Sequence, residues 1–143
     1  MTKLTWSKWT FLNLVENEMI PNDPGVYQIR WAINGAPQPI SRFNGVDESG
    51  CLYIGQTDNL ARRIRRFCRG ITQGSHGPNI RNRHTAAVTY IVYGFNRKIK
   101  PEELEFRYSE LLKSEILECE GRLLQEYIRN YLDKPPLNTS VRR

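Results

Sequence analysis

Two tyrosines occupy near-mirror settings in this chain, Gly25-Val26-Tyr27 and Tyr53-Ile54-Gly55, and Arg63 stands eight residues beyond Gly55 at the head of an arginine-rich stretch. A phenol can give or take a proton, and a guanidinium can clamp an oxyanion with its fixed fork of donors. Brought onto one patch, such groups could bind an anionic ligand and move a proton beside it. Whether they meet depends on the elements that carry them.

Residues 26–33 alternate Tyr27, Ile29, Trp31 and Ile33 against Val26, Gln28, Arg30 and Ala32, which predicts a strand with Tyr27 on its more apolar face. Residues 51–55 form a second strand. The segment between them carries Gly, Pro, Asn and Asp signals throughout and is too long for a tight turn, so it reads as a hairpin loop with an insertion. In an antiparallel pair the start of one strand lies beside the end of the next, so the two phenols can converge. Gly25 and Gly55 would let the backbone approach a ligand closely. After the cap signal Asp58-Asn59, Leu60, Ile64 and Phe67 recur at helical spacing, predicting a helix over 59–69 that ends at Gly70. Arg63, a turn into that helix, can point back over the tyrosine patch.

The remaining elements follow from the same periodicities. Trp6, Trp9 and the apolar residues after them predict an amphipathic opening helix over 4–20. Residues 70–83 read as a polar, Gly-rich loop containing His76. The stretch 84–95 mixes strand propensity with an apolar helical face and reads as helix. Leu104, Phe106 and Tyr108 alternate with polar residues and predict a third strand, and residues 114–132 form a helix closed by Pro135-Pro136. The expected fold is α/β (α+β), a small three-stranded antiparallel sheet flanked by helices, in one domain over residues 1–143.

On the last helix, Glu120 is three or four residues from Ile116, Leu117, Leu123 and Leu124, so it interrupts an apolar face. That costs free energy unless something cationic meets it. Glu126 has Arg122, Arg129 and Asn130 as helical neighbours and reads as a solvated charge. The chain carries 21 Lys and Arg against 15 Asp and Glu, a net charge of +6. Cations crowd the middle of the chain while acids gather at 102–126, so one face should be positive and suited to a polyanion. The three cysteines show no C-x-x-C spacing, which argues against a disulfide framework or a thiolate zinc site and for a reduced, cytoplasmic chain. No apolar run approaches the roughly 18 residues that span a bilayer, so no membrane partner is expected.

Together GVY, YIG and the arginine eight residues on resemble the GIY-YIG nuclease family, over residues 23–138. The resemblance implies a metal-dependent DNA endonuclease that hydrolyses phosphodiesters with Tyr27, Tyr53, Arg63, a helical glutamate and a downstream asparagine. The family pattern fits Glu120 through Leu124, with Asn138 after Pro135-Pro136-Leu137, although the spacing to Asn138 leaves Glu126 as an alternative. By this likeness Glu120 would hold Mg²⁺ or Mn²⁺ and Arg63 would bond the scissile phosphate. One tyrosine would take a proton from the attacking water and the other would orient water or phosphate; which does which stays open. Relatives often carry a His or Tyr at the position of Phe67 and a Lys at that of Gln56. His76, in Gly74-Ser75-His76, resembles a G-x-H stretch of the homing branch and would compensate. Arg62, Arg66, Arg69, Arg81 and Arg83 would contact the DNA. The competing reading is a non-catalytic nucleic-acid-binding module on the same scaffold. Double-strand cleavage would need a homodimer, two successive nicks or a partner subunit.

Overall fold

The computed structural model describes residues 3–73 and 85–139. Strand β1 (Thr10–Phe11) and a 3-10 turn (Leu12–Asn17) lead into the long strand β2 (Gly25–Ile33). Short strands β3 (Ala36–Pro37), β4 (Ile40–Ser41) and β5 (Val46–Asp47) occupy the insertion, and β6 (Cys51–Thr57) returns along β2. Helices α1 (Leu60–Gln73) and α2 (Thr85–Val92), strand β7 (Leu104–Glu110) and helix α3 (Ile116–Tyr131) complete the order.

β2 lies at the centre with β6 and β7 antiparallel on either side, β1 pairs with the far edge of β7, and β3 folds back on the end of β2. The three-stranded core is therefore the α+β sheet expected from period-two alternation, extended by two-residue strands. Tyr27, Ile29 and Phe106 turn one face toward Leu60, Ala61, Ile64 and Phe67 of α1, and Ala86, Ala87 and Tyr90 of α2 join the same cluster. Each large apolar side chain buried there stabilises the fold by roughly 1.5–3 kcal/mol. α3 places Leu124 and Tyr127 against Ile54 and Cys51. Among the described residues, no helix is long and apolar enough to cross a membrane.

Two expectations are corrected. The opening segment is not a helix over 4–20. Residues 3–9 run without regular structure alongside β7, where Ser7 N donates to Tyr108 O at 2.8 Å and Thr5 N to Ser109 Oγ at 3.0 Å, before β1 and the 3-10 turn begin. The Trp6–Trp9 spacing that suggests a helix serves a different purpose: the Arg107 guanidinium lies 4.3 Å from the Trp6 ring and 4.6 Å from Trp9, and Arg30 lies 4.3 Å from Trp9. These indoles cover cations on β2 and β7 instead of packing into a helical core. The following Leu12 and Val15 are fully buried and three apart, a spacing that a 3-10 turn brings to one side.

The second correction concerns Gly70, which does not end α1; the helix continues to Gln73. A Cβ at Gly70 would sit 2.7 Å from the Ala87 Cβ, so the glycine marks the close crossing of α1 and α2. At the other end, Asn59 Oδ1 accepts from Arg62 N at 3.0 Å and Thr57 Oγ1 accepts from Asn59 N at 3.1 Å, which fixes where α1 starts and thus where Arg63 points.

Candidate active site

The register of β2 on β6 builds the site. Tyr27 stands opposite Gly55, and Ile29 opposite Tyr53, so the phenols lie diagonally across the pair on one face. Their ring centroids are 5.8 Å apart with planes inclined at 45°. Gly55 makes this possible. A Cβ there would lie 2.6 Å from Tyr53 Cε2, 2.7 Å from Tyr27 Cζ and 2.8 Å from Tyr27 Oη. At Gly25 a Cβ would run into the Ser109 carbonyl and lie 2.8 Å from Leu60 Cδ1. The space in front of both glycines is taken by the protein itself, so their small size admits the phenols at one and α1 with β7 at the other, where close approach of a ligand was expected.

Arg63, half-buried one turn into α1, hydrogen-bonds both phenols. Tyr27 is fully buried; this burial pushes its hydroxyl well above the usual phenol range, the charge of Tyr53 adds to the shift, and Arg63 opposes it. Tyr53 is also raised by burial; Arg63 lowers it and the negative charge of Glu120 raises it further. Glu120 thus acts on Tyr53 from α3, on the opposite side from α1. A cleft of about 170 Å³ opens between them, lined by Tyr53, Gln56, Arg63, Thr85, Glu120 and Asn138 among others. Tyr53 reaches this cleft, whereas Tyr27 lies beneath it.

Glu120 is the one carboxylate among the described residues lining the cleft. The other acids of that helix region are engaged or placed elsewhere. Glu115 Oε1 accepts from Leu112 N at 3.2 Å before α3, Glu118 is exposed, and Glu126 borders a separate cavity that Trp9 and Arg107 also line. Among the described residues, no group of three or more His, Cys, Asp or Glu side chains could hold a metal ion, and the cysteines are free and buried. One carboxylate beside a phenol and a guanidinium suits a hard divalent ion that keeps most of its water.

Asn138 is 5 % exposed and gives its amide to the backbone: Oδ1 accepts from Ile54 N at 3.0 Å and Nδ2 donates to Ile54 O at 2.9 Å. With Leu137 N donating to Leu52 O at 2.8 Å, the chain after α3 completes the outer edge of β6. Asn138 therefore fixes the strand that carries Tyr53, one residue from that phenol. Phe67 is fully buried in the core cluster that holds Tyr27.

The basic residues divide by helix face. Arg62 and Arg66 border a groove next to the cleft, and Arg62 pairs with Asp58 at 3.3 Å. Arg69 turns instead toward Glu16, at 3.9 Å, so it stands apart from Arg62 and Arg66. Arg81, Arg83 and His76 lie outside the described residues. Thr85 and Lys113, which border the cleft and the groove, carry no sequence motif; the packing of α2 on α1 and the turn before α3 bring them there.

A family model described as the GIY-YIG catalytic domain matches residues 24–131, a span that holds Tyr27, Tyr53, Arg63 and Glu120. No curated protein and no solved structure matches the chain.

Proposed function

The chain belongs to the GIY-YIG family, whose nucleases generally depend on a metal ion, and from that premise we propose that it hydrolyses DNA phosphodiester bonds with Mg²⁺ or Mn²⁺ held at Glu120. The observation that supports this most strongly is a guanidinium shared by two phenols and faced by a carboxylate across a cleft too small for much beyond a phosphate and its neighbours.

A phosphodiester resists attack because its oxygens are already negative and the transition state gathers more charge on them. Catalysis then needs fixed positive charge and a positioned water. Arg63 has donors beyond those it gives the phenols, and these are available to the scissile phosphate. Its position is fixed from below, because two hydroxyls hold it. Tyr53, the phenol at the cleft, is the one placed to take a proton from an attacking water, which it would do as the phenolate, a form that Arg63 and a divalent ion held at Glu120 would have to favour against burial. Tyr27, sealed beneath, holds Tyr53 and Arg63 in place. The divalent ion, when bound, supplies charge at the phosphate and leaving oxygens.

Plasmid nicking tests the reading. Wild-type protein with Mg²⁺ or Mn²⁺ should convert supercoiled plasmid to open circles. Glu120→Gln and Arg63→Ala should each lose roughly 10²–10³ in rate, the usual cost of removing one charge-stabilising group. Salt-sensitive DNA binding by the wild type without nicking in either ion would reject hydrolysis in favour of a binding module. The buried apolar Phe67, at a position where relatives often carry a polar group, is the observation behind that second reading.

A further inference from the structure

At about 170 Å³ the cleft is well below the roughly 300–1,000 Å³ that ligand-sized pockets occupy, so a nucleotide flanking the scissile phosphate must lie elsewhere. A second groove, of about 470 Å³, opens beside it, and Gln56 and Arg63 line both. Its two walls come from different elements. α1 supplies Arg62 and Arg66, while the turn before α3 and the first turn of α3 supply Lys113 and Leu117.

The charge of this groove is almost unopposed. Asp58 is the one carboxylate among the described residues lining it, and Asp58 is already paired with Arg62. Arg66 and Lys113 form no ion pair among the described residues. Arg63 and Arg66 are three apart on α1, which sets their side chains about 5–6 Å from each other at the helix surface. A guanidinium on the scissile phosphate thus leaves the next one in reach of the adjoining phosphate. Leu117, 53 % exposed, offers an aliphatic wall beside these cations, suited to a sugar and unsuited to a free inorganic anion.

We propose that this groove holds the nucleotide next to the scissile linkage, with Arg66 and Lys113 gripping its phosphate from opposite walls. Lys113 is then a substrate-positioning residue that no motif marks. The assignment rests on the phosphodiester reading above, and its test is separable from that reading. Binding of a fluorescent oligonucleotide duplex is followed by anisotropy without divalent ion, so that nothing is cut, across a salt series. Each phosphate contact contributes about 0.9 to the slope of log affinity against log salt. Lys113→Ala and Arg66→Ala should each make the slope shallower by about one and weaken binding roughly eightfold at 0.1 M salt. Lys113→Arg should keep the slope. Lys8→Ala, on the exposed N-terminal segment, should leave it unchanged. A wild-type slope in Lys113→Ala overturns the subsite, as does an equal change in Lys8→Ala or a wild type that binds no duplex. Plasmid nicking with an unchanged slope in Lys113→Ala removes the subsite and leaves the activity standing. A shallower slope in a protein that does not nick supports the groove as a nucleic-acid site and rejects the hydrolysis.

Discussion

Gly55→Ala adds one methyl group at the point where both phenols cross β6. The new carbon would stand 2.6 Å from Tyr53 Cε2 and 2.7 Å from Tyr27 Cζ, against a comfortable separation of about 3.5–4.0 Å. One ring must recede by roughly 1 Å. Tyr27 is fully buried among Phe67, Ile64 and their neighbours, so Tyr53, at the open cleft, is the ring that yields. Two effects on stability compete. Gly55 has an ordinary extended backbone, and alanine at such a position gains about 0.4–1 kcal/mol by restricting the unfolded chain. Overpacking costs about 1–3 kcal/mol and prevails, leaving a net loss on the order of 1–2 kcal/mol. A domain of typical stability stays folded after such a loss. Activity should nevertheless fall about 100-fold, because a misplacement of about 1 Å at a reacting group has that effect. Urea unfolding reads the first quantity and plasmid nicking at 25 °C the second. A variant more stable than wild type would refute the packing argument. One destabilised as expected but nicking within twofold of wild type would refute the role of the phenol pair.

Asn138→Ala should leave the Ile54 N–H and C=O without their partners in a buried setting, at roughly 1–3 kcal/mol each, less whatever water at the strand edge recovers. A urea midpoint equal to wild type would show that the amide does not hold the edge of β6. The protein should also be sensitive to alkali. Burial pushes the Cys51 thiol up to about 12, and Tyr27 and Tyr53 are raised above their usual range. Their protonated forms are favoured by the fold. The associated stability is complete below the unfolded titrations near 9 and 10 and is lost as pH climbs toward the folded values. Cys51 alone should remove about 1.4 kcal/mol per pH unit above about pH 9. Urea unfolding from pH 8 to 11 measures the decline, Cys51→Ala should flatten part of it, and a stability unchanged to pH 11 would contradict the burial of these groups.

The parts of this fold that a sequence discloses are those whose signal repeats locally. β2 and β7 were legible because alternation sorts their residues between two faces, β6 because a short apolar run stops at a glycine, and α3 because its apolar stripe persists over four turns. A charged residue inside that stripe also stands out, so Glu120, which interrupts the apolar face, reads differently from Glu126 with its polar helical neighbours. Trp6 and Trp9 show where local pattern fails. A three-residue spacing fits a helix as well as an extended strap, and what decides is the pair of arginines beneath them, which come from β2 and β7 far along the chain.

The functions of the two glycines and of Asn138 were not legible for a related reason. Each is defined by a partner that only strand register supplies: Tyr27 over Gly55, the Ser109 carbonyl against Gly25, and Ile54 against Asn138. A motif that places a glycine two residues after a tyrosine can be read as leaving room for a ligand or as leaving room for another side chain. Register favours the second, because a residue on β6 and the residue opposite it on β2 must share one face, and the Tyr27 ring has nowhere else to lie. The short motif thus encodes a packing requirement whose consequence is chemical. Gly55 lets one phenol be sealed under α1 and the other stand at the cleft, with a single guanidinium held by both, and a larger residue there would force the two hydroxyls apart before any substrate arrived.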